Sequence, residues 1–117
     1  SGVDIVIDHF GHPDPQAPLE CTGYRAMLDA VDKGHTWVKL SGGFRLPGPE
    51  AWRDDPEGDV ESLAQHVAEN LLTRVGTDRL LWGSDAPFVG YERRIGYEQV
   101  LASYRRWVPD PAKRAQI

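Results

Sequence analysis

An Asp stands at position 85, where the short apolar run Arg79-Leu80-Leu81-Trp82 gives way to Gly83-Ser84-Asp85-Ala86-Pro87. A carboxylate so placed can take a proton from water and create a nucleophile for attack on an ester or amide carbonyl. Its plainer use is to cap its own turn in the manner of an Asx residue. The same grammar occurs twice more: Asp4-Ile5-Val6-Ile7 runs into Asp8-His9-Phe10-Gly11-His12, and Thr36-Trp37-Val38-Lys39-Leu40 into Ser41-Gly42-Gly43-Phe44-Arg45. His9 brings an imidazole that can bind a metal through a neutral nitrogen, polarise a carbonyl, hydrogen-bond a substrate, or simply pair with Asp8. Arg45 offers paired donors to a carboxylate or a developing oxyanion, and would otherwise be a solvated loop residue. Ser41 can hydrogen-bond a substrate but has no evident paired His to make it a nucleophile. Lys39 could form a Schiff base if desolvated, or face a helix layer from within its strand. Tyr91, Arg93 and Arg94 follow Asp85 and could line the mouth of a site. His35 and His66 read as solvent-facing or structural. Ser41-Gly42-Gly43 satisfies neither phosphate-binding glycine fingerprint.

These residues need elements to carry them, and the chain alternates strand and helix. Pro13, Pro15 and Pro18 stiffen a loop after the first strand, Asp4 to Ile7. A helix is predicted from Gly23 to Asp32, with Tyr24, Met27, Leu28 and Val31 at helical spacing as core. Gly34 stops it, and Trp37 to Leu40 form the second strand. Leu46 to Gly58 holds too many prolines and glycines for a core element, and long loops of this kind tend to be functional. Asp59 reads as the N-cap of a helix running to Val75, with Val60, Leu63, Ala64, Val67, Leu71 and Val75 on its apolar face. Gly76 ends it and the third strand, Arg79 to Trp82, follows. A helix from Tyr97 to Trp107 is predicted to bury Val100, Leu101, Tyr104 and Trp107. Pro109 and Pro111 break it, and Pro111 opens a further helix that the chain does not complete.

The 117 residues suit one domain, and 40% hydrophobic with 26% charged residues is ordinary globular composition. A net charge of −5 with scattered arginines argues against a nucleic-acid surface. No apolar stretch approaches the roughly 20 residues of a membrane span, and no export signal opens the chain. The lone Cys21 excludes an internal disulfide and suits a reducing compartment, with the cytoplasm as the default.

Asp at the carboxyl end of a parallel strand is where α/β folds place their chemistry. Three strands of the doubly buried kind cannot close a barrel, however, and an open sheet would leave apolar edges unpaired. The expectation is therefore an α/β chain of parallel (β/α) units that forms part of a larger protein. It would need the rest of that protein, or self-association, for stability. A self-sufficient small domain is the competing view.

Ile7-Asp8-His9-Phe10-Gly11, Val38-Lys39-Leu40-Ser41-Gly42 and Leu81-Trp82-Gly83-Ser84-Asp85-Ala86-Pro87, in that order, resemble strands six, seven and eight of the amidohydrolase-2 branch of TIM-barrel hydrolases and lyases. Within it the chain is most similar to the pyrone-dicarboxylate and sugar-acid lactonases. The resemblance spans nearly all of residues 1–117 and implies the C-terminal part of a (β/α)8 barrel, without the first strand and its His-x-His pair. It implies Asp85 as general base, His9 as its active-site partner, and Asp85 with His9 as ligands where a divalent metal such as zinc is held. Arg45, His12 and Ser41 would bind substrate. His12 stands where the pyrone-dicarboxylate lactonases carry an Arg, a departure that points to a less anionic substrate. The implied activity is hydrolysis of a lactone or cyclic ester of a small acid or sugar acid, without nucleic-acid or membrane partners. Metal-dependent decarboxylases and hydratases of the same branch, and a non-catalytic barrel piece, are the alternatives.

Overall fold

In a computed structural model, residues 3–48 and 61–117 are described. They form three parallel strands in the order β1-β2-β3: Ile5–Ile7, Thr36–Leu40 and Leu80–Trp82. Ile5 lies opposite Thr36, and Leu40 opposite Trp82. The order and sense are those the alternating pattern requires, because each crossover is long enough to carry a helix. Between them run α1 (Thr22–Asp32) and α2 (Ser62–Arg74), followed by α3 (Tyr97–Trp107) and α4 (Pro111–Gln116). The predicted loop at Leu46–Gly58 falls mostly outside the described residues, as do Asp59 and Val60 of the predicted α2 start. Glu61 occupies the cap position and makes no side-chain cap bond. Leu101 is half-buried, not core. The last helix opens as expected at Pro111: Asp110 accepts from the Ala112 N–H (2.9 Å) and Pro111 pre-sets its first turn.

Alternation along β2 sorts the layers. Thr36, Val38 and Leu40 are buried, and the latter two pack with Tyr24, Met27 and Val31 of α1 and with Ala64, Val67, Ala68 and Leu71 of α2. Tyr104 and Trp107 of α3 complete this core, with Trp82 stacked on Tyr104. Burial of both sheet faces was expected for all three strands, and β1 departs from it. Ile5 and Val6 are 52% and 50% exposed, because among the described residues β1 pairs with β2 alone and is left uncovered beyond it. Polar ties pin the helices to each other. Tyr24 donates to Asn70 (2.7 Å), Arg74 donates twice to Asp32, and Ser103 donates to Glu61. The helix layer thus fixes the carboxyl ends of β1, β2 and β3 side by side, where the site lies.

Candidate active site

β1 and β3 each end in a turn that ordinary backbone preferences disfavour, and β2 ends in one that uses glycine, Gly42 at φ 59°. After β1, His9, Phe10, Gly11 and His12 all have positive φ, closing on the Gly11 N–H to Asp8 carbonyl and His12 N–H to His9 carbonyl bonds (2.9 Å each). A left-handed residue with a Cβ costs of order 1–2 kcal/mol, so the run persists only where packing outweighs it. Phe10 supplies that packing: it is fully buried, edge-on to Trp107 at 4.9 Å. The turn's polar residues are thereby set at the rim while its aromatic one enters the core.

Asp85 also sits at positive φ (63°). Its carboxylate does not cap its own turn; Ser84 does, accepting from the Ala86 N–H at 3.2 Å. Asp85 Oδ2 instead accepts from Arg45 Nε at 2.6 Å, and Oδ1 lies 3.7 Å from His9 Nε2. Arg45 is further held beside the Phe44 and Tyr91 rings, at 5.0 and 5.1 Å. The other ring nitrogen of His9, Nδ1, is 2.8 Å from Ser41 Oγ, which also accepts from the His9 N–H at 3.3 Å. The expectation that Ser41 binds substrate meets a different placement. Ser41 is fully buried and its hydroxyl orients His9. His12 stands edge-on to His9, ring centroids 5.2 Å apart. Partial desolvation, reinforced by His9 and Arg45, holds the His12 pKa below its ordinary 6.5 although Asp8 and Asp85 pull it up. Of the supposed mouth residues, Tyr91 reaches the site through Arg45, while Arg93 and Arg94 are exposed. His35 pairs with Asp4 at 3.0 Å on the surface and His66 is exposed, both away from the site.

Gly83 leaves room for a side chain: a Cβ there would stand 2.6 Å from Lys39 Cε. Lys39, which could have faced the helices, lies on the opposite face of β2, with its ammonium 3.3 Å from Asp8 Oδ1. Alternation from the buried Val38 and Leu40 requires this. Neither the Lys39–Asp8 pair nor the Ser41–His9 bond has a local sequence signal, because each joins different strands.

The donor chemistry can be tested against a metal. Ligand atoms about 2.0–2.2 Å from a tetrahedral zinc lie roughly 3.3 Å from each other, near the 3.7 Å between His9 Nε2 and Asp85 Oδ1. With Nδ1 tied to Ser41, Nε2 is the nitrogen left to coordinate, the arrangement that orients metal-bound imidazoles. The pair fits as two ligands. Among the described residues no group of three or more His, Cys, Asp or Glu gathers for a complete site. No helix among them is long and apolar enough to cross a membrane.

Known proteins share this arrangement of segments. The 4-sulfomuconolactone hydrolase of Rhizobium radiobacter is 33% identical over 116 residues, 97% of this chain and 36% of that protein. A protein of the same name from Hydrogenophaga intermedia is 33% identical over 90 residues, covering 76% of this chain and 26% of its own length. The crystal structure of a probable 2-pyrone-4,6-dicarboxylic acid hydrolase from Acinetobacter baumannii, with citric acid bound, superposes with a TM-score of 0.80 at 29% identity. It covers 97% of this chain and 40% of that one. The chain thus spans well under half the length of these relatives. The amidohydrolase family model matches residues 1–117 throughout, and the chain belongs to the amidohydrolase family.

Proposed function

We propose that the whole protein is a hydrolase that opens a lactone or cyclic ester of a small acid or sugar acid with a water activated by Asp85. These residues would supply the last three β/α units of a TIM barrel, strands six to eight. The observation that carries the reading is the Asp85 carboxylate held between Arg45 and His9 at the carboxyl edge of the sheet. Names of the relatives that contain "lactone" or "pyrone" support the same reaction class.

With Oδ2 fixed by Arg45, Oδ1 is the oxygen left to accept a proton. Its 3.7 Å separation from His9 Nε2 lets one water oxygen contact both atoms at about 2.8 Å. Asp85 takes a proton from that water as its oxygen bonds to the ring carbonyl carbon. The ring C–O bond then breaks, and the proton on Asp85 passes to the leaving oxygen, giving a hydroxyl end and a carboxylic acid end that releases its remaining proton to solvent. His9, steadied by Ser41, orients the water or the carbonyl. The remaining donors of Arg45 and the neutral imidazole of His12 meet the acid portion of the substrate. A divalent metal, when bound, would be held by His9 and Asp85 with ligands from elsewhere in the protein, and would sharpen the acidity of the attacking water.

Asp85→Asn keeps shape and removes the base. In the full-length protein, turnover of a lactone panel should fall about 10²–10⁴-fold, with thermal stability near wild type. Unchanged turnover would remove the central role of Asp85.

A further inference from the structure

The sheet face turned away from the helices carries a cation that the reaction above does not use. Lys39 faces Leu81 in register, yet its tail runs beyond that level. A Cβ placed on Gly83, two residues further along β3, would lie 2.6 Å from Lys39 Cε and 3.5 Å from Nζ. The side chain therefore climbs toward the carboxyl edge by about one strand pleat, roughly 6–7 Å. It ends between Asp8, the neighbour of His9, and Gly83, two residues before Asp85. Ser41, which follows β2 directly and continues its alternation on that face, is the one that holds His9. The ammonium thus lies against Asp8, the chain neighbour of His9, with its tail against Gly83, two residues before Asp85.

Its commitment there is light. Lys39 Nζ lies 3.3 Å from Asp8 Oδ1, longer than the roughly 2.7–2.9 Å of a charge-assisted hydrogen bond, and an ammonium has three donors. Arg45, by contrast, has its Nε engaged at 2.6 Å and its guanidinium flanked by aromatic rings. Of these two cations, Lys39 keeps the more donor capacity for a ligand. The missing side chain at Gly83 is what keeps that path open.

We propose that Lys39 is a second anion-binding residue of the site, receiving a carboxylate of the acid substrate or of its ring-opened product. The substrate part of this proposal rests on the hydrolase reading; the anion contact does not. A compact dicarboxylate would then meet both Lys39 and Arg45, so that Lys39 would offset the cation lost at His12, where the sequence alone pointed to a less anionic substrate.

Calorimetric titration of glutarate into the full-length protein tests it. Wild type should bind, Lys39→Met should bind at least about tenfold more weakly, the effect of losing one charge-assisted hydrogen bond, and Lys39→Arg should stay within about threefold. Gly83→Ala, which displaces the lysine tail without touching the core, should also weaken binding. Glutarate bound equally well by wild type and Lys39→Met, or not bound by wild type, would overturn the proposal. So would equal losses in Lys39→Met and Lys39→Arg, which would mark a structural role. If no lactone is turned over while glutarate binding still depends on Lys39, the hydrolase reading fails and the anion site stands.

Discussion

His12 sits where charge and solvation pull against each other, and the balance has a measurable consequence. Desolvation, with His9 and Arg45, holds its pKa in the folded protein below the ordinary 6.5. The unfolded chain therefore binds a proton more readily as pH falls, so this residue's contribution to stability is fully present above 6.5 and is lost as pH drops through the folded value. An NMR titration of full-length protein should give a His12 midpoint below 6.5, and denaturation midpoints of His12→Gln should vary less with pH below 6.5 than those of wild type. A His12 midpoint at or above 6.5 would contradict the assignment. The sequence singled out Asp85, His9, Arg45 and His12 because their side-chain chemistry is visible in the letters. It could not show that Arg45 grips Asp85 or that Ser41 serves His9, since those bonds join residues 40 and 32 positions apart.

At the level of elements, the strand-end turns store strain that the helices offset. Phe10→Ala removes a fully buried ring from its contact with Trp107 and should cost about 3–5 kcal/mol. Because the same ring anchors the left-handed turn, activity should fall even at temperatures where the variant is still folded, as paired denaturation and turnover measurements would show. Gly42 combines a positive φ of 59° with close approach: a Cβ would stand 2.7 Å from His9 Nδ1. Gly42→Ala should displace the His9 ring from Ser41 and lower turnover more than stability; wild-type turnover in that variant would argue against the placement of His9. Helix limits were legible from periodicity and breakers, as α3 shows, starting at Tyr97 and ending at Trp107. Four successive left-handed residues after β1 were not, because side-chain periodicity carries no information about φ.

For the molecule as a whole, the open sheet governs behaviour. Val3, Ile5 and Val6 are exposed apolar residues at β1, an unpaired parallel edge that in α/β folds is covered by further strands or helices. The 117-residue chain on its own should self-associate, and sedimentation should find it larger than a 13.1 kDa monomer, whereas full-length protein should show no comparable exposed edge. A well-folded monomer of this chain alone would argue for self-sufficiency. The exposed edge and the 36% coverage of the Rhizobium hydrolase both fit the proposal that these residues are part of a larger barrel.

By itself the sequence determined the alternation of strand and helix and the polar residues at the strand ends. Those follow from local propensity and from the period of apolar residues, which the letters contain. Tertiary structure alone decided that Lys39 turns from the helices toward Asp8, that Gly83 serves its path, and that β1 keeps an exposed face. These depend on which strand lies beside which and on what covers each face, relations between segments far apart in the chain that no local pattern encodes.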